Sequence, residues 1–281
     1  ASYTTVYETS KVIDDVRAAT AELNKKVFIE TTKDASPSNP VDVSYYLTNP
    51  GFDNNDTRGW TVEGASTVNY QEVEFYERTF DMYQKVTGLL AGKYVLKIQG
   101  FERPAQPDGG AAYKAGTETI HARLYANSEI FSEYSMPLNS LYKHNYSGEG
   151  TDNGYVGGMS SAARAFADGL YEMELAEIML AEDDVLTVGV RTDFKQSYYW
   201  VLFDNFRLEY VGFDQDEVVA LAQQQVGAAE AIKDDKMKAT VKDNLVSALN
   251  QTQGILDAEP LELNDLYGAY NQLLAAIEAA N

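Results

Sequence analysis

Acidic and amide side chains are concentrated in one short segment near the start of the chain, Asp53-Asn-Asn-Asp-Thr-Arg-Gly59. Carboxylate and amide oxygens are the ligands that calcium prefers. The segment departs from the EF-hand pattern, because Arg58 stands where that pattern requires glycine and no bidentate glutamate follows at the proper spacing. A solvated turn is therefore the alternative to a metal site.

A further acid, Asp204, lies inside an apolar run near the end of the first 211 residues. Alternation predicts a closing β-strand there, with two faces. Leu202, Phe206, Leu208 and Tyr210 form one face, and Phe203, Asn205, Arg207 and Glu209 form the other. Asp204 falls on the first face, where a carboxylate needs a cation or several backbone N–H partners. We hypothesise that a structural calcium ion joins Asp53 to Asp204, and the first strand to the last.

Tyrosine is unusually frequent, with 20 Tyr against 11 Phe and 2 Trp. Its ring offers a flat apolar face on which the C–H face of a sugar can stack, while arginines and carboxylates bond sugar hydroxyls. These residue types predict a carbohydrate site. The candidate residues are Trp200, Tyr199, Tyr198, Arg103, Tyr113, Tyr142, Tyr146 and Tyr155. The alternative is that the tyrosines pack long loops onto the fold, and we expect Trp60 in the core and His121 in a structural hydrogen bond.

Catalytic patterns are poorly supported. With two His and no Cys, little is available for a nucleophilic triad, and the 43 acids do not single out a glycosidase pair. Phosphate-loop, dinucleotide and zinc motifs are absent from the sequence. The net charge of −21 argues against nucleic acid and anionic membranes as partners. No run approaches 18 apolar residues, and no signal peptide is visible, although Ala1-Ser2 resembles a cloning remnant of a fragment.

The hydrophobic pattern divides the chain into four parts. Apolar spacings of three and four predict a helix over residues 1–27, which we interpret as the end of a preceding bundle, and a proline-containing linker follows over 28–42. Short alternating runs separated by turns predict an antiparallel β-sandwich of jelly-roll type over 43–211. Helical periodicity returns over 214–281 and predicts a three-helix bundle. The fold class is mainly β.

Strand counting gives the sandwich a direction. If consecutive strands run antiparallel, the short joins at 88–91, 127–128 and 180–184 lie at one end. The long joins at 48–59, 102–118, 136–170 and 193–199 then lie at the other end. Long loops without regular structure are usually functional or disordered, so the candidate sugar-binding residues are placed at this end.

Several segments resemble a known family. Asn49-Pro-Gly-Phe-Asp53, followed by Gly59-Trp60, resembles the opening of galactose-binding-like jelly rolls such as carbohydrate-binding module families four, nine and twenty-two, and Leu202-Phe-Asp-Asn-Phe-Arg-Leu208 is similar to their closing strand. Segments between them resemble a version found in exported glycan-degrading proteins of Bacteroidetes. The resemblance implies polysaccharide binding without catalysis, an extracellular or cell-surface location, and often a structural calcium, with Asp53 and Asp204 at the matching positions.

Two functions remain open. The favoured one is a non-catalytic module that binds a plant or microbial polysaccharide as part of a larger glycan-degrading or glycan-capturing protein. The alternative is a structural or adhesive spacer that contacts other proteins on a bacterial surface, and the C-terminal bundle resembles the helical spacers of such proteins.

Overall fold

The computed structural model describes residues 3–131, 133–181, 183–212, 215–233, 237–261 and 263–280. The chain divides into two compact units, Ala1–Gly212 and Phe213–Asn281. The first unit begins with helix α1 and continues as a β-sandwich, and the second is a bundle of three helices. The predicted fold class is therefore confirmed. No helix in the described part of the chain is long and apolar enough to cross a membrane.

The sandwich consists of two mainly antiparallel sheets. One has the order β12-β6-β14-β4-β3, with β1 on β14 and β9 on β6, and the other has the order β2-β5-β13-β7-β8. A separate hairpin is formed by β10 and β11. The strands are β1 Val41–Asp42, β2 Thr61–Glu63, β3 Thr67–Asn69, β4 Glu72–Tyr76, β5 Phe80–Val86, β6 Gly92–Arg103, β7 Arg123–Ser128, β8 Glu133–Pro137, β9 Asn139–Ser140, β10 Thr151–Asp152, β11 Tyr155–Val156, β12 Glu172–Leu180, β13 Leu186–Thr192 and β14 Trp200–Gly212.

The helices of the first unit are α1 Tyr3–Thr32, α2 Ala111–Lys114 and α3 Met159–Ala167. Helix α1 runs five residues beyond its predicted end, so the predicted linker from residue 28 is too long at its start. The reason is Phe28, which is fully buried in the sandwich core against the rings of Tyr46 and Tyr210, each at a centroid distance of 5.4 Å. Residues 44–46, at the start of the predicted sandwich, form a 3₁₀ turn.

The predicted faces of β14 are wrong, because the strand contains a bulge. Asn205 has a left-handed φ of 56°, and the register with β6 shifts between Asp204 and Arg207. A bulge of this kind reverses which residues face inward. Val201 and Phe203 face the core before the bulge, and the alternate residues Phe206, Leu208 and Tyr210 face it afterwards. Asp204 therefore alternates with Trp200 and Leu202, on the outer face of the sheet.

The outer face of this sheet is itself covered. Segments 139–171, including α3, pack a second apolar cluster onto β6 and β14. Phe101 lies at its centre, in ring contact with Phe166, Tyr171 and Trp200. Asp204 is buried as well, at 8% exposure, although it does not face the sandwich interior, and its carboxylate lies beside Gly51 of the 48–59 join.

The second unit is formed by α4 Gln215–Ile232, α5 Ala239–Leu256 and α6 Leu263–Ala280. Val226, Leu245 and Leu273 contribute one apolar residue from each helix to its core. Thr252 is buried with them and donates hydrogen bonds from its hydroxyl to the carbonyls of Ala248 and Ala269. The helical stripes predicted from the sequence thus meet in one core.

Candidate functional site

A cleft of about 670 Å³ lies at one end of the five-stranded sheet. It opens where β5 and β7 begin and β2 and β13 end. Its walls carry both acidic and basic side chains together with small polar groups and one phenyl ring. The lining residues are Glu63, Gly64, Thr79, Phe80, Asp81, His121, Arg123, Arg191, Thr192 and Asp193.

The groups at the floor of the cleft are held by Tyr125. Its hydroxyl donates to the Asp81 carboxylate at 2.8 Å, and the Arg191 guanidinium lies 4.5 Å from its ring centroid. Gly189 makes room for this arrangement, since a Cβ there would lie 3.0 Å from the Tyr125 ring and 2.4 Å from the Met82 carbonyl oxygen. Burial raises the pKa of Asp81, and the Tyr125 hydroxyl and Arg191 partly offset that effect. Tyr125 thus holds an acceptor, the Asp81 carboxylate, and a donor, the Arg191 guanidinium, side by side.

Strand β7 and the residues before it line the cleft next to β13, where Arg123 is the cross-strand neighbour of Arg191. Arg123 donates to the hydroxyl and carbonyl oxygens of Ser135, at 3.1 and 3.0 Å. Arg191 instead pairs with Glu133 at 2.5 Å. Held in this way, Arg123, Arg191 and Asp81 present polar groups to the cleft from three neighbouring strands. Such a set can bond several hydroxyls of one neutral, polar ligand.

The predicted sugar-binding residues lie mostly elsewhere. Tyr199, Trp200, Tyr142 and Tyr155 are all less than 8% exposed, so their rings have little free face for stacking in this conformation. Trp200 donates from its indole nitrogen to Glu74, and Tyr142 and Tyr155 contact each other edge to face at 5.0 Å. Contacts of this kind are expected if these rings pack the long loops onto the fold, which is the alternative to sugar binding.

The remaining predicted residues are more accessible. Tyr198 and Tyr113 are 43% and 40% exposed. Arg103 is half-buried over the Trp200 ring and donates to the Tyr198 carbonyl oxygen, while the Tyr146 hydroxyl donates to Asp168. Their role in binding sugar stays a prediction. The sequence argument missed Asp81, Arg123 and Arg191, whose one available signal was a polar side chain at alternating positions of predicted strands.

The long joins do not all converge as strand counting predicted. The 193–199 join does meet the 102–118 join, because Gln196 donates to the Pro104 carbonyl oxygen and Arg103 donates to Tyr198. The 48–59 join instead lies along the middle of two strands, where the Phe206 N–H bonds Pro50 and the Thr48 N–H bonds Gln84. The cleft accordingly has only part of the predicted loop set around it.

A cluster of carboxylates surrounds Asp204 on the other sheet. Burial and the neighbouring Asp204 raise the pKa of Glu72 to about 9, and burial and the neighbouring Asp53 raise the pKa of Asp204 to about 8. Both Glu72 oxygens and one Asp204 oxygen are buried without a hydrogen-bond donor. The side-chain oxygen of Asn49 is buried and unpartnered as well. Buried acceptors that lack donors need a cation or protons.

These oxygens fit a hard cation in type and burial. The Asp204 carboxylate lies beside Gly51, where an added Cβ would be 4.0 Å from its oxygen. Left-handed backbone at Asn49, Phe52 and Asn205 turns this loop and bulge around the acids. Among the described residues, no three His, Asp or Glu side chains form a metal site by themselves, so amide or backbone oxygens would have to complete it. Glu72 was not among the ligands predicted from the sequence.

No protein-family model matches the chain, and neither does any curated protein. Among solved structures, a family 61 carbohydrate-binding module in complex with β-1,4-galactotriose is 18% identical, with a TM-score of 0.35 over 58% of this chain and 96% of that one. A family 22 xylan-binding domain of Paenibacillus barcinonensis Xyn10C is 14% identical, with a TM-score of 0.31 over 58% and 93%. A cyclase from Fischerella sp. TAU is 11% identical, with a TM-score of 0.34 over 63% and 100%. Identities this low assign no ligand to the chain.

Proposed function

We propose that the sandwich is a non-catalytic module that binds a polysaccharide in the cleft at the end of the five-stranded sheet. The observation that carries the proposal is the convergence of Asp81, Arg123 and Arg191 on a cleft of about 670 Å³. A sugar exposes alternating donors and acceptors, and fixed carboxylate and guanidinium groups satisfy both kinds. Ligand sites commonly have volumes of about 300–1,000 Å³, so the cleft has room for more than a single ion.

Direct binding tests this proposal. Calorimetry or affinity electrophoresis with a panel of plant and microbial polysaccharides should detect at least one ligand. Arg123→Ala should weaken that binding by at least about fivefold, the equivalent of one net hydrogen bond. Arg207→Ala is the matched control, since Arg207 lies on the other sheet and pairs with Glu172. Silence across the whole panel would exclude the proposed function.

We further propose that the module belongs to a larger exported glycan-degrading or glycan-capturing protein and acts at the cell surface, as the family resemblance of the sequence implies. A structural calcium ion near Asp204 is part of the same proposal. Asp204 would hold it together with amide and backbone oxygens of the Asn49–Phe52 turn, and the second carboxylate would be either Asp53, as the sequence predicts, or Glu72. The ion would neutralise the buried carboxylates and fix the loop to β14; it takes no part in binding sugar.

One observation favours the alternative of a spacer that contacts proteins. The predicted apolar stripe of α1 is left uncovered, with Val12, Val16, Leu23 and Val27 each at least 50% exposed. Exposed apolar stripes of this kind occur at protein contacts. Absence of glycan binding, together with a protein partner whose capture is lost in Leu23→Ser, would favour this second function.

A further inference from the structure

A second cavity of about 300 Å³ adjoins the cleft on its loop side. It is bounded by the 102–118 and 193–199 joins and by Tyr142, the middle residue of a 3₁₀ turn over Leu141–Lys143. Like the cleft, it combines flat rings with polar groups. The residues that matter are His121, Glu118, Tyr142, Phe194 and Gln196. His121 lines both cavities and is therefore their shared wall.

The ring of His121 is fixed by aromatic stacking. It lies parallel to the Phe194 ring, with centroids 3.7 Å apart and an interplanar angle of 8°. Phe194 in turn contacts the fully buried Tyr199 ring edge to face at 5.2 Å. The sequence predicts a structural role for His121, and these ring contacts are consistent with one. The residue is half-buried, however, and it also lines both cavities.

The backbone of His121 is fixed as well. The buried Glu102 carboxylate accepts hydrogen bonds from the N–H groups of His121, at 2.8 Å, and Ala122, at 2.5 Å. Glu102 belongs to β6 and His121 to the segment before β7, so this bond joins the two sheets at the rim of the cleft. A side chain held at both its ring and its backbone is preorganised, which is how binding groups gain affinity.

The second cavity has its own polar groups. The Asp108 carboxylate is already used, since it accepts from the N–H groups of Gly110 and Ala112. Glu118 lies half-buried at the wall, and burial raises its pKa while a hydrogen bond from Ser140 opposes that change. Glu118 lines this cavity with Phe194 and Tyr142, and its carboxylate, which accepts one hydrogen bond from Ser140, has acceptor positions left for a ligand hydroxyl.

We propose that the two cavities form one extended site for a linear oligosaccharide, in which His121 lies between neighbouring sugar units and Glu118 binds a unit in the second cavity. This inference rests on the proposed carbohydrate-binding function and extends it. It specifies recognition of several consecutive sugar units, as opposed to a single terminal unit. A chain that enters only the cleft would leave Glu118 without a ligand.

A length series tests the extension. The probes are cello-, xylo- and β-1,4-galacto-oligosaccharides of two to six units, measured by calorimetry. In the series that binds, affinity should rise with length before it levels off. Glu118→Ala should weaken the long probes about fivefold, one net hydrogen bond, and leave the disaccharide unchanged. Glu63→Ala, which alters the cleft alone, should weaken long and short probes equally.

The outcomes separate the two proposals. A disaccharide that binds as tightly as the hexasaccharide would overturn the extended site and leave cleft binding intact. An affinity gain with length that Glu118→Ala does not reduce would overturn the role of the second cavity. If no probe and no polysaccharide binds, carbohydrate binding itself fails, and the extension fails with it.

Discussion

Glu72 and Asp204 lie on neighbouring strands, one residue beyond the Phe203–Val73 pair of the antiparallel register, and both carboxylates are buried. Neither has a cationic side chain among its partners in the described residues, and the neighbouring Asp204 adds to burial in raising the pKa of Glu72. Two buried acids side by side are destabilising unless a cation or protons neutralise them. The pair therefore predicts two linked dependences of stability, on calcium and on pH.

Calcium is expected to stabilise the sandwich. At a concentration 100-fold above its Kd, a bound ion adds about 2.7 kcal/mol to the free energy of unfolding. For a domain of this size, that raises Tm by about 5–10 °C. Calorimetric melting with calcium and with a chelator measures the shift. Asp204→Asn should abolish most of it, and a Tm that chelator leaves unchanged would remove calcium from the proposal.

The metal-free protein is expected to lose stability as pH rises. The folded carboxyls keep their protons up to pKa values of about 9 for Glu72 and about 8 for Asp204. In the unfolded chain, both carboxyls release their protons at their ordinary values of 4.5 and 3.8. Because the folded state binds more protons across this window, these two groups lower the free energy of unfolding between about pH 4 and pH 9.

Glu72→Gln tests the origin of that pH dependence. Glutamine cannot ionise in the unfolded chain, so the substitution removes the cost of protonating residue 72 on folding and should raise the stability of metal-free protein at pH 8 by at least about 1 kcal/mol, the linkage of a single pKa unit. The difference from the wild type should vanish near pH 4. Chemical denaturation in the presence of chelator, at both pH values, measures it. Glu74→Gln is the neighbouring control, because its amide oxygen can still accept the hydrogen bond from Trp200, and its effect on stability should be much smaller. If the pH dependence of stability is the same in Glu72→Gln and in the wild type, Glu72 is not one of the groups that cause it.

The sequence allowed the layers of the fold to be predicted but not their local departures from regularity. Alternation predicted a strand over β14, because side-chain direction repeats every two residues. One left-handed residue, Asn205, reverses that alternation, and asparagine tolerates such backbone without requiring it. For this reason Asp204 shares a face with Leu202, as predicted, but not with Phe206, Leu208 and Tyr210. Its burial was foreseen correctly, since an apolar run on either side predicts a covered strand.

The cleft was beyond sequence reasoning for a different reason. Asp81, Arg123 and Arg191 are each separated by at least about 40 residues along the chain and meet only through the register of β5, β13 and β7. Register depends on the pairing of whole strands and cannot be read from one of them. The aromatic residues drew attention to the loop end, but frequency alone does not distinguish a ring that packs from a ring that binds.

Helix α1 is expected to be anchored through Phe28. Its side chain is fully buried against Tyr46 and Tyr210, so Phe28→Ala should cost about 3–5 kcal/mol of unfolding free energy. The adjacent Val27 is 50% exposed, and Val27→Ala should change stability by no more than about 0.5 kcal/mol. Denaturant titration of both variants measures the contrast. Equal effects would mean that the helix end is not part of the sandwich core.

Trp200 and Tyr198 are two residues apart in sequence and are expected to respond to substitution in different ways. Trp200 is 3% exposed, contacts Phe101 edge to face and bonds Glu74, so Trp200→Ala should lower stability by about 3–5 kcal/mol. Tyr198 is 43% exposed and uses its backbone in its hydrogen bonds to Glu77 and Arg103, so Tyr198→Ala should leave stability within about 0.5 kcal/mol.

Binding and stability must therefore be measured on the same pair of variants. If Tyr198→Ala weakens glycan binding while its denaturation midpoint stays at the wild-type value, the loop end contributes to the site as the sequence predicted. If Tyr198→Ala binds normally and Trp200→Ala loses binding only in proportion to its unfolded fraction, then Tyr198 and Trp200 have no direct role in binding glycan. In that case Arg123→Ala, which alters the cleft without touching this cluster, should still reduce binding.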